Sequence, residues 1–310
     1  ELAKSIQGKS KKIKIVSCYS KSKKKRINFS KKYKTDYHDS YKAILKDPKI
    51  NAVILTTPHS LHAKHAIQAL RHGKHVFVEK PMATKYLDAK KMYLTAKKYK
   101  KILSVGHNRR YSSVSDFINN LNCQKKIGKI LHIDSNFSAP GALNYKRKFW
   151  RASRKESPGG AIAGLGIHMI DLMCFFGGQV KSVQSLVKKY AVKVNIDDTT
   201  SALFEFKKNC TGNLTTIFAC PYTTTFNVFG TNMNIFSDVD KNKIKIINKN
   251  GKIQKINLTN KDTLFLELQE FAESCKNKKK YKVKNLEAAH NVKVMEAIVK
   301  SSKKNKKIYL

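Results

Sequence analysis

Residues 75–85 read HVFVEKPMATK: an apolar run ending at Val78, the charged pair Glu79-Lys80, then Pro81. A β-branched and aromatic run of this length, with Gly73 before it and a proline after it, reads as a buried strand. NAVILTT (51–57) has the same character, and the helical pattern HSLHAKHAIQALRHG (59–73) joins the two runs. ATKYLDAKKMYLTAKKY (83–99) is again helical and leads to ILSVGH (102–107). IKIVSCY (13–19) followed by a helix to about Lys34 adds a unit on the upstream side. Strand, helix, strand in regular alternation predicts an α/β fold with a doubly wound parallel sheet over residues 1–106.

The pattern changes after Ile130. KILHIDSNFSAPG (129–141), TSALFEFKKNCTGNLTTIFACP (200–221) and KIKIINKNGKIQKINL (243–258) alternate with period two, and Asn250-Gly251 is a hairpin turn. Two amphipathic helical stretches, 263–276 and 285–304, end the chain. Residues 107–310 are therefore expected to form an α+β domain with a largely antiparallel sheet. Its exposed sheet face is expected to pair with another copy of the chain.

Composition narrows the function classes. A chain of 310 residues can bury two cores, and its six cysteines include no CxxC pair, which argues against a zinc knuckle or a disulfide framework. No run of eighteen apolar residues and no signal peptide is visible, so a cytoplasmic protein is expected. The formal charge of +42 suggests nucleic acid, but only seven of the 63 basic residues are arginine and the lysines are spread through every segment. That distribution reads as a solvated lysine surface, and leaves nonspecific nucleic-acid binding as an alternative.

The stretches 51–82, ILSVGHNRRYSS (102–113) and FWRASRKESPGGAIAGLGIHMIDLM (149–173) resemble the Gfo/Idh/MocA family of sugar and inositol oxidoreductases. Thr57-Pro58 with His62 three residues beyond His59, and Glu79-Lys80-Pro81, each at a strand end, carry the likeness. The resemblance implies a Rossmann-type first domain binding NAD(P), and a sugar-like or cyclic polyol substrate. It also implies that one strand and a glycine-rich loop are expected ahead of Glu1. By the family pattern Lys80 reaches the reacting hydroxyl or carbonyl and His168 helps move the proton. Gly164 stands where the family often has an aspartate, and Asp171, one helical turn after His168, is a candidate to orient the imidazole.

Further expectations concern the cofactor and the substrate. Ser20 and Lys21 stand where an NAD enzyme offers a carboxylate to the ribose, which leans the cofactor toward NADP. Thr57, Pro58, His59, His62, Glu79, Lys80, Pro81 and Arg151 are expected on the cofactor side, and Asn108, Arg109 and His168 on the substrate side. His59, His62 and His65 recur at helical spacing but lack cysteine or carboxylate partners, so no metal is expected. A ligand-binding member of the same fold without catalysis is the second alternative.

Overall fold

The computed structural model describes residues 1–277 and 279–310. After α1 (Leu2–Ile6), the first part of the chain runs β1 (Ser17–Cys18), α2 (Lys23–Tyr33), β2 (Asp36–Tyr37), α3 (Tyr41–Lys46), β3 (Ala52–Leu55) and α4 (His62–Arg71). It continues with β4 (His75–Glu79), α5 (Tyr86–Lys98), β5 (Leu103–Gly106) and α6 (Ser113–Cys123). The pairing is parallel in two ladders, β1-β2 and β3-β4-β5. β2, α3 and α6 were not read from the sequence; the first two span two and six residues, too few to display a period.

The second part contains β6 (Ile130–Ser138), a π-helical turn at Ile162–Gly166 that runs into α7 (Ile167–Gly177), β7 (Val180–Lys188), β8 (Thr199–Phe206) and β9 (Thr211–Ile217). β10 (Thr223–Gly230), β11 (Met233–Asp238), β12 (Lys243–Asn248) and β13 (Ile253–Asn257) follow, then α8 (Thr263–Asn277), α9 (Asn285–Lys304) and β14 (Ile308–Tyr309). The strand order is β13-β12-β11-β10-β6-β9-β8-β7-β14. Every pair is antiparallel except β6 with β9.

Alternation decides which face is covered. In β8, Thr200, Ala202, Phe204 and Phe206 point inward, whereas Leu203 points out and is 64% exposed. α7 and α9 lie on the inner face, where Met169, Met173, Val292, Val294 and Met295 are buried. α8 instead lies on the β3-β4-β5 ladder: Leu268 and Phe271 join Leu2, Ile6 and Phe77 in one core, with the Phe77 and Phe271 rings 5.6 Å apart. α9 also packs on α5. The carboxyl ends of β3, β4 and β5 are thereby turned toward the π-helical turn and the start of α7.

Candidate active site

Lys80 leaves the end of β4 through a cis peptide bond to Pro81, and its Nζ donates a 2.5 Å hydrogen bond to the carbonyl of Gly164. That carbonyl lies within the π-helical turn, whose wider winding shifts backbone groups out of α-helical register. Burial pushes the Lys80 amine down to about 8, Glu79 opposes the shift, and Arg151 and Arg109 add to it. Lys80 is thus a half-buried amine that gives up its proton more readily than an ordinary lysine, with one carboxylate in its surroundings.

His168, the second residue of α7, is half-buried next to Lys80. Its Nδ1 is sealed from solvent without a partner, which leaves Nε2 as the ring nitrogen open to the cleft. Burial holds the ring well below the usual histidine range, and the charges of Lys80 and Arg109 act in the same direction. The imidazole is neutral at pH 7 and able to accept a proton or a hydrogen bond.

Asp171 is helical as expected but does not meet His168. Arg110 binds it in a fork, Nε to Oδ2 and Nη2 to Oδ1, both 2.7 Å, and Asn291 donates to Oδ1 at 2.7 Å. This buried carboxylate holds α7 against the segment after β5 and against α9. Its low pKa, opposed by burial, comes chiefly from Arg110. His107 sets its Nδ1 3.9 Å from Oδ2, with neither ring nitrogen hydrogen-bonded. His107 is pushed down to about 4 by burial and also faces Lys80.

The expected cofactor-side residues divide into two groups. Ser20 and exposed Lys21 follow β1 and precede α2, which Ser22 caps. Thr57, Pro58, His59 and His62 cluster after β3. His62 is fully buried with Nε2 2.9 Å from the Thr57 carbonyl and Nδ1 2.9 Å from the Pro81 carbonyl, so its ring ties the two strand-end loops together. A neutral imidazole donates to one of these carbonyls at a time. His59 sets Nδ1 2.6 Å from the Glu156 carbonyl and stacks edge-on against Trp150 at 4.8 Å. Burial pushes it down to about 3. Thr57 Oγ1 is buried without a partner, and Arg151, stacked 4.4 Å over Trp150, pairs with no carboxylate among the described residues.

On the other side of Lys80, Arg109 forks onto Asp240 at 2.7 and 3.0 Å and lies 4.3 Å over the Phe137 ring, which also faces His168 at 5.9 Å. Asn108 donates to Thr263 Oγ1 at 2.9 Å. Asn108 and Arg109, with Asp240, Asn260 and Lys261, line a polar recess of about 120 Å³. Sequence reasoning missed His107 and Phe137. The first is visible just after β5, whereas the second comes from a distant segment that only the fold brings in.

These groups can exchange a proton with a hydroxyl and stabilise an alkoxide, through Lys80 and His168. A nicotinamide dinucleotide fits the donors that remain unspent: Thr57 Oγ1, the Arg151 guanidinium, and the hydroxyl and ammonium of Ser20 and Lys21. No glycine-rich turn joins a strand to a helix on the parallel ladders among the described residues.

Comparison with known proteins agrees with this arrangement. The profile of an oxidoreductase family with an NAD-binding Rossmann fold matches residues 1–107, and that of the GFO/IDH/MocA C-terminal domain matches residues 118–236. Glucose-6-phosphate 3-dehydrogenase of Bacillus subtilis is 36% identical over 124 residues, 40% of this chain and 35% of that protein. A 1-carboxy-3-chloro-3,4-dihydroxycyclohexa-1,5-diene dehydrogenase of Comamonas testosteroni is 29% identical over 196 residues, 60% of this chain and 48% of that one. The matches thus span between a third and a half of these two relatives. Among solved structures, a candidate NADPH-dependent oxidoreductase of Desulfitobacterium hafniense superposes with a TM-score of 0.92 at 27% identity, over 99% of this chain and 93% of that one. Levoglucosan dehydrogenase bound to NADH and levoglucosan shares the fold, with a TM-score of 0.88 at 18% identity over 95% of this chain and 89% of that one. With both halves of its fold matched, and with Lys80 and His168 meeting at the carboxyl ends of the parallel strands, the chain belongs to the Gfo/Idh/MocA oxidoreductase family.

Proposed function

We propose that the chain serves an NAD(P)-dependent oxidoreductase that acts on a hydroxyl or carbonyl carbon of a sugar-like or cyclic polyol substrate. The observation that carries this reading is Lys80, a strand-end amine held to the Gly164 carbonyl with its pKa drawn down to about 8, beside the open Nε2 of His168. When bound, the nicotinamide supplies the hydride chemistry. Lys80 takes the hydroxyl proton and, as the ammonium, stabilises the developing oxyanion; His168 accepts a hydrogen bond from the same or a neighbouring hydroxyl. Phe137 and Trp150 border the cleft with apolar faces, a setting for one face of a ring.

Lys80→Ala should abolish nicotinamide absorbance change with every polyol oxidised by the parent protein, while circular dichroism stays unchanged. Unaltered turnover would refute the assignment. Oxidation should rise with pH through about 8, as the amine loses its proton. A protein that only binds ligands would retain polyol affinity and give no absorbance change with any of them.

The same reading prefers NADP. Ser20, Lys21 and the lysines of the first turn of α2 offer a hydroxyl and positive charge where a carboxylate would repel a 2′-phosphate. Lys21→Glu should therefore weaken NADPH binding several-fold more than NADH binding, as measured by nucleotide fluorescence.

A further inference from the structure

The segment that carries Trp150 and Arg151 is drawn together by its own hydrogen bonds. The Ser153 carbonyl accepts from the N–H groups of Glu156 and Ser157 at 3.1 and 2.9 Å, and the buried hydroxyl of Ser157 donates to the Arg151 carbonyl at 3.0 Å. Residues 150–157 thus form one compact turn, and whatever holds Glu156 also places Trp150 and Arg151. On one side the turn is fixed to its own half of the chain, where Ser153 bridges to Asn195 and Arg154 pairs with Asp197 at 2.8 Å.

On the other side Glu156 reaches the parallel-sheet half. Its Oε2 accepts from the Ser60 N–H at 2.9 Å, and its Oε1 accepts from the Ser60 hydroxyl. Ser60 lies in the short 3-10 turn His59–Leu61, directly after Thr57-Pro58. The Glu156 carbonyl takes a third bond from His59 Nδ1, and the His59 ring closes the joint edge-on against Trp150. A carboxylate that receives two donors from one residue is fixed in direction as well as in place.

The two walls joined in this way each hold a donor without a partner. Thr57 Oγ1 is buried and unpaired on one wall, and on the other the Arg151 guanidinium lies near enough to act on His59, Glu79 and Lys80. A ligand that spans both walls meets side chains whose freedom was already lost on folding, so less is lost on binding.

We propose that Glu156 is a positioning residue for the nucleotide cleft: its carboxylate latches the turn of residues 150–157 to the loop after β3, and so sets Trp150 and Arg151 before the nucleotide arrives. This rests on the reading of the chain as NAD(P)-dependent, and the first half of its test needs no nucleotide.

Trp150 is the only tryptophan of the chain, so acrylamide quenching of its fluorescence reports the position of the turn in the nucleotide-free protein. Glu156→Ala should leave the indole more open to the quencher than in the wild type. Glu156→Gln, whose amide accepts from the Ser60 N–H and donates to the Ser60 hydroxyl oxygen, should restore the shielding. Calorimetric titration with NADPH should give a Kd weaker in Glu156→Ala by ~2–10-fold for each side chain that the nucleotide must then order, and close to the wild type in Glu156→Gln. A merely structural role would lower the melting temperature without opening Trp150 in the folded protein. Equal quenching of the wild type and Glu156→Ala would overturn the latch. An opened Trp150 with unchanged NADPH affinity would overturn its role toward the nucleotide and leave the cofactor reading standing. A wild type that binds neither NADPH nor NADH would remove that reading, and the proposal with it. Ser60→Ala, which loses the hydroxyl and keeps the N–H, serves where Glu156→Ala does not fold: it should be more open and bind NADPH more weakly than the wild type, and wild-type values in both measurements would overturn the proposal.

Discussion

Glu267 shows how far one residue can depart from its ordinary chemistry. It lies on the face of α8 that carries Leu264, Leu268 and Phe271, is fully buried, and has neither carboxyl oxygen hydrogen-bonded. Burial first, then the charges of Glu79 and Asp171, raise its pKa well above 4.5. The folded state therefore keeps its proton to higher pH than the unfolded chain does, and stability falls as pH rises above 4.5. Glu267→Gln should be more stable than the wild type at pH 7 in urea unfolding, with the gap closing toward pH 4.5. Lys80 has the opposite sign. Its amine sits at about 8 when folded and 10.5 when unfolded, so the native state gains stability with rising pH between those values. Lys80→Met should accordingly stabilise the protein more at pH 7 than at pH 10.5. Lys80 and His168 were legible in the sequence because each lies in a recognisable stretch at an element end. The partners of Asp171 were not: Arg110 is 61 residues away and Asn291 is 120 away, and helical spacing gives a residue's face without naming what meets it.

Among the elements, α7 depends most on its surroundings. Arg110 reaches Asp171 with two hydrogen bonds and Glu287 of α9 with a third at 2.6 Å, so one guanidinium joins α7, α9 and the segment after β5. Removing one member of a buried pair leaves the other charged and unpaired. Arg110→Met should cost about 3–5 kcal/mol in denaturant unfolding, and Asp171→Asn should recover part of that loss in the double variant. The turn leading into α7 has a second constraint at Gly160, which adopts φ +53 with its Cβ direction 1.6 Å from the Asp197 carbonyl oxygen. The Ser-Pro-Gly-Gly run announced a turn in the sequence, but the approach of Asp197 appears only once β8 is in place. The longer strands and the two last helices were readable from periodicity. β7, β10 and β11 do not stand out in the sequence, because their serines, threonines and asparagines blur the apolar alternation.

At the scale of the whole molecule, charge and connectivity have separate effects. A formal charge of +42 repels itself, so the melting temperature should rise by several degrees between low ionic strength and ~0.15 M salt, where the screening length is about 8 Å. Any retention on nucleic acid should vanish over the same range, since lysines spread over the surface neutralise phosphates without reading bases. Four of the seven arginines, Arg109, Arg110, Arg151 and Arg154, fall in the two segments 102–113 and 149–173 that border the cleft, a concentration already present in the sequence. Connectivity was harder to read, because the helix α8 that covers the β3-β4-β5 ladder comes from the far end of the chain. A fragment of residues 1–106 should expose Phe77 and Ile6 and aggregate, which size-exclusion chromatography would detect. During synthesis the ribosome must add the residues between Phe77 and Phe271 before that core can close, a delay of roughly 10–40 s at cellular elongation rates. Through that interval the nascent ladder presents an uncovered apolar face, and holding it apart from other growing chains falls to the cell's chaperones.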